Sequence, residues 1–120
     1  MAKQFKYGDS HSLAVIERGY NEDTRFLQFH SEPLDESLLQ EALDIIVGYN
    51  NFDSKIVGKV LLENFEGCRF VVGREYSVVI YVIPTTPYLF WAQTLVDIKE
   101  QAKIDEVAVN ERGELRLWWD

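Results

Sequence analysis

The chain is short of cysteine, of histidine and of basic residues, and each shortage removes a class of function. Its one cysteine, Cys68, excludes an intrachain disulfide and any thiolate cluster around a metal, which fits a reducing compartment. Cys68 opens an apolar run and reads as a small buried hydrophobe. The two histidines, His11 and His30, do not form a His-x-x-x-His pair, and there is no Asp/Asn-rich loop closed by Gly and Glu, so zinc and EF-hand calcium lack their ligands. The seven glycines are scattered, with no Walker loop or dinucleotide fingerprint. The expectation is no metal and no cofactor.

Basic residues number 12 against 20 acidic ones, for a formal charge of -8 and a sequence pI near 4.7. Phosphate backbones and anionic lipid are therefore repelled unless a local patch overrides the total. Lys55, Lys59, Arg69 and Arg74 are the nearest thing to a patch, and surface solvation explains them equally well. No nucleic-acid or membrane partner is expected. No run reaches transmembrane length, and residues 1 to 7 lack the apolar core of a signal peptide, so the reading is cytoplasmic.

With 120 residues, 47% of them hydrophobic, the chain has enough apolar material for a single domain over residues 1–120. Residues 70 to 83 dominate it. Two β-branched runs flank Gly73-Arg74-Glu75 and predict a hairpin that breaks there. In the second run Val78, Ile80 and Val82 alternate with Val79, Tyr81 and Ile83, so neither side is polar and the strand is central.

Residues 5 to 7, 13 to 20 and 25 to 30 read as strands, the last two joined across residues 21 to 24. Residues 31 to 50 carry a helical stripe of Leu34, Leu38, Ala42 and Ile46, capped by Ser31 with Pro33 in the first turn. Residues 52 to 65 fit a second helix capped by Asp53 or Ser54, although Gly58 and its β-branched neighbours disfavour it. Thr86 and Pro87 start a third, with Trp91, Ala92, Leu95, Ile98 and Ala102 inward and Phe90 off the stripe. Residues 106 to 109 and 114 to 119 close the chain as a hairpin. The order βββααββαββ predicts an α+β fold, a largely antiparallel sheet with about three helices packed on one face.

Gly8-Asp9-Ser10-His11 resembles the opening of the GDSL-type esterases, over those four residues only. That family carries its histidine late, behind an Asp-x-x-His; here Leu27 occupies the equivalent place before His30, and no later histidine exists. The resemblance therefore implies no esterase. An Asx turn accounts for the segment.

Two surface features point to partners. Asp35, Glu36, Glu41 and Asp44 give the first predicted helix a carboxylate face that could steer a basic protein without being needed for folding. In the last strand Leu115, Leu117 and Trp119 share one parity, which strands Trp118 among Glu114 and Arg116, where it could anchor a contact. Phe90, off its stripe, is a second anchor candidate. The leading expectation is an acidic, inhibitor-like interaction module for a basic protein, leaning away from an enzyme. The alternatives are a ligand-binding or hydrolytic pocket between sheet and helices using His30, Glu32 or Tyr81, and a structural homodimer.

Overall fold

In the computed structural model, which describes residues 10–21, 28–46, 51–85 and 90–120, the apolar alternation of residues 77 to 83 forms the middle strand of a five-stranded sheet. The elements run α1 (Ser10–Asn21), β1 (Phe29–His30), α2 (Glu36–Asp44), α3 (Ser54–Asn64), β2 (Arg69–Glu75), β3 (Ser77–Ile83), α4 (Ala92–Gln101), β4 (Glu106–Val109) and β5 (Leu115–Trp118). The strand order is β1-β2-β3-β5-β4, and every pairing is antiparallel. The fold is α+β, as the grouping of elements predicts.

Register divides the sheet into two faces. Phe70, Val72 and Arg74 pair with Val82, Ile80 and Val78, and Leu115 and Leu117 pair with Val82 and Ile80 from the other side. These apolar side chains share one core with Ile16 of α1, Leu39 and Leu43 of α2, Val57 and Leu61 of α3, and Ile98 of α4. All four described helices thus cover the same face. The alternate residues, among them His30, Val71, Glu75, Tyr81, Arg116 and Trp118, lie on the opposite side, and no described helix packs there.

The N-terminal region corrects the expected order. Residues 13 to 20 are helical, not a strand; of the predicted 25–30 strand, Phe29 and His30 pair in the sheet and residues 25 to 27 lie outside the described residues. Leu13, Ile16 and Tyr20 recur at helical spacing and meet the core, a pattern that outweighs the β-branched pair Val15 and Ile16. The expected strand at residues 5 to 7, its turn at Gly8 and Asp9, and the connection at residues 22 to 24 lie outside the described residues.

The predicted 31–50 helix is shorter at its start. Leu34 exchanges backbone hydrogen bonds with Phe70, so the chain is still extended there, and Pro33 precedes the helix instead of entering it. Ser31 serves the sheet: it is buried, its Oγ accepting from Val72 N and donating to Glu32 O. Asp35 caps α2, accepting from Ser37 N at 3.1 Å. The second helix forms as its periodicity predicts, with Asp53 accepting from Lys55 N and Ile56 N. Gly58, the residue least suited to it, lies so close to Gln40 of α2 that an added Cβ would fall 1.9 Å from its Oε1.

The central hairpin does not break at Gly73-Arg74-Glu75. β2 runs through all three, and one residue, Tyr76 at φ 64°, makes the turn. Helix α4 begins only at Ala92, after Trp91 in extended backbone, so the 3.6-residue phase does not reach back to residues 90 and 91. The consequence changes three positions, Ala92 of the expected inward stripe being exposed as well. Phe90 turns inward, edge-on to Phe65 at 5.7 Å between ring centroids, whereas Trp91 is 74% exposed. Thr86 and Pro87, the expected start, lie outside the described residues.

Candidate functional site

The face that no described helix covers is organised around Glu75, the last residue of β2. Pairing of β1 with β2 sets His30 opposite Gly73, an approach so close that a Cβ on Gly73 would meet Phe29 O at 2.3 Å. Pairing of β3 with β2 and β5 sets Tyr81 opposite Val71 and Arg116. Three strands therefore bring their polar groups to one carboxylate.

Glu75 Oε2 accepts from Tyr81 Oη at 2.6 Å and lies 2.7 Å from His30 Nε2. Its Oε1 accepts from Arg116 Nε at 3.0 Å and lies 2.9 Å from the guanidinium's Nη2. Arg116 also reaches Glu106 Oε1 at 3.1 Å, and the Trp118 indole donates to the Glu75 carbonyl at 2.8 Å. Burial alone would raise the Glu75 pKa, but the hydrogen bonds from Tyr81, His30 and Arg116 outweigh it and hold the carboxyl below its ordinary range. An ionised carboxylate only accepts, so His30 Nε2 carries the hydrogen of that contact. Burial, together with the neighbouring carboxylate, pushes the Tyr81 phenol up, and it stays a donor.

This arrangement holds groups in place and leaves the carboxylate little to react with. A carboxylate offers about four acceptor sites, and Glu75 faces four donor atoms, so it has no position left for a substrate proton. Among the described residues no serine, threonine or cysteine is bonded to His30, and its polar contact is Glu75. Of the residues expected to line a pocket, His30 and Glu32 are not brought together: Glu32 is exposed, and the acid that meets His30 is 45 positions away in sequence.

Beside the network runs a groove of about 220 Å³, lined by His30, Ser31, Val71, Tyr81, Ile83, Arg112 and Glu114. It lies on the uncovered face, whereas the expected pocket was to lie between sheet and helices. That space is filled, since the side chains meeting there are buried. Val71, Ile83 and the Tyr81 ring give the groove an apolar floor; His30 stands at the β1 end and Glu114 at the β5 end.

The acidic residues of α2 lie on the helical side, and three of the four have structural work. Asp35 caps the helix, and Glu36 accepts from Gly67 N at 3.1 Å. Asp44 accepts from Gln40 at 2.8 Å and Ser54 Oγ at 3.0 Å, and with Lys55 these contacts hold its carboxyl below the ordinary range despite burial. Glu41 is exposed. Trp118 is half-buried on the face that no described helix covers, and Phe90 packs on Phe65. Cys68 is buried, and burial followed by the charge of Glu36 raises its thiol pKa. The described residues include no cluster of three or more metal-ligating side chains, and no described helix is long and apolar enough to cross a membrane.

Sequence reasoning missed Glu75 and the exposed Trp91. Glu75 carried no signal beyond its place before a tyrosine; Trp91 needed the start of α4. No family model, no curated protein and no solved structure matches this chain.

Proposed function

We propose that this protein is a small interaction module that receives a basic protein surface on the open face of its sheet. One observation carries the reading: the face left by the described helices presents a preassembled polar network, Glu75 with His30, Tyr81 and Arg116, beside a groove with an apolar floor. At about 220 Å³ the groove is smaller than the roughly 300 to 1,000 Å³ of sites that enclose small molecules. It suits one side chain of a larger partner. A net charge of -8 favours a basic partner through long-range attraction, and the lone cysteine fits a cytoplasmic setting.

The test is affinity capture at low and high salt, comparing wild type with Val71→Arg. A basic protein retained at low salt, released at high salt and lost with Val71→Arg supports the reading. Equal retention by both, or an acidic partner, overturns it.

Trp91 favours a second reading, self-association. A tryptophan exposed to 74%, with Val96 of α4 exposed to 59%, is the kind of surface a homodimer covers. The mass in solution tests it: a dimer that Trp91→Ser dissociates supports this reading, and a monomeric wild type removes it.

A further inference from the structure

The groove joins a carboxylate wall at one end to an apolar floor. Glu114 forms the β5 wall, its side chain only 19% exposed. Its Oε1 is engaged by Asn110 Nδ2 at 2.9 Å and by Arg112 Nη2 at 3.2 Å, and among the described residues no contact uses its Oε2. Extending the β3–β5 register by one residue sets Glu114 opposite Ile83, next to the Tyr81 ring. At the other end stands His30, held through Nε2 by Glu75.

Arg112 behaves differently from its acid partner. Its side chain is 78% exposed, and it also lines a second hollow, with Asn110 and Glu111. The turn does not need that side chain, because Asn110 Oδ1 holds it through the Arg112 and Glu114 backbone N–H groups. Arg112 is thus an exposed guanidinium resting on a fixed carboxylate, with room to leave.

We infer that the groove is a receptor for an arginine side chain of the basic partner, and that Arg112 is an internal stand-in for that guanidinium at Glu114. The inference rests on the open-face reading above and deepens it. A guanidinium is planar, binds carboxylates in a forked geometry and stacks on aromatic rings, which matches Glu114 beside Tyr81. Its methylene stem matches Val71 and Ile83. Displacing Arg112 costs little, since its own side chain is largely in solvent and the incoming guanidinium takes its place on Glu114. An anionic occupant would meet the Glu114 wall in a protein that already carries -8.

The test is an NMR titration of the full chain with N-acetyl-arginine methylamide, and in parallel with the corresponding glutamate and norleucine amides. The arginine probe should shift the amides of Val71, Tyr81, Ile83 and Glu114, with a Kd on the order of millimolar for so few atoms. Glu114→Gln keeps an acceptor for Asn110 and should weaken binding about tenfold. Arg112→Ala should tighten it about threefold. Equal or tighter binding of the glutamate or norleucine probe, absence of any shift in the groove, or weakening by Arg112→Ala overturns the inference. Failure of the titration alongside Val71-dependent capture of a basic protein overturns the arginine receptor alone; failure of that capture counts against the open-face reading itself.

Discussion

Trp118 and Trp119 are adjacent in sequence and fall on opposite sides of the sheet. Trp119 is fully buried, edge-on to Phe52 at 5.0 Å, its indole donating to Ala102 O at 2.9 Å. Trp118 is half-buried, and its indole donates to the Glu75 carbonyl at 2.8 Å. Both indoles are satisfied, yet one completes an apolar core and the other roofs a polar network. The pleat alone makes the difference, and it extends along β3, where Val78, Ile80 and Val82 serve the core while Tyr81 and Ile83 line the groove. A strand buried on both sides by composition can still have one face built for packing and one for contact.

The largest test of that division uses one residue type on one strand. Ile80→Ala should destabilise the fold by about 2 to 5 kcal/mol, since it opens a cavity among residues that cannot collapse onto it. Ile83→Ala should cost less than about 1.5 kcal/mol, because the side chain is only half-buried. Urea denaturation with unchanged m-values checks both, and equal losses would abolish the distinction between faces.

Glu75→Ala should come next, at about 2 to 3 kcal/mol, by leaving Arg116 and Tyr81 without their shared acceptor. The same carboxylate carries a pH signature. Because its folded pKa lies below the ordinary glutamate value, its contribution is full above that value and is lost as pH falls through the depressed one. Stability measured from pH 7 downward should therefore drop in acid, and Glu75→Gln should flatten part of that drop. An unaltered profile would show that the network does not hold Glu75 ionised.

These contrasts also mark what could be read from sequence. The centrality of β3, the inward set Leu115, Leu117 and Trp119, and the helix at residues 54 to 64 follow from periodicity, because each is a local pattern repeated often enough to outvote a poor residue such as Gly58. Helix α1 misled because Val15 and Ile16 favour strands locally, while the contacts of Ile16 with the core are distant in sequence. The Glu75 network was out of reach for a stronger reason. His30, Glu75 and Arg116 meet through the register of separate strand pairs, and no spacing within one segment encodes that.

The smallest expected effect lies at the pivot between the faces. Tyr76 alone links Glu75 to Ser77, so Arg74 and Val78 stay on the helical side and Glu75 and Ser77 on the open side; a one-residue slip would exchange them. The turn demands a left-handed backbone, φ 64°, which a tyrosine adopts at a cost and a glycine does not. Tyr76→Gly should raise stability by up to about 1 kcal/mol, the relieved strain being partly offset by the greater freedom of glycine in the unfolded chain. If pairing is set by the turn and the alternation together, the amide shifts of His30, Tyr81 and Arg116 should stay in place in this variant. Their displacement would mean that the tyrosine side chain, 64% exposed, does more for the open face than bend the chain.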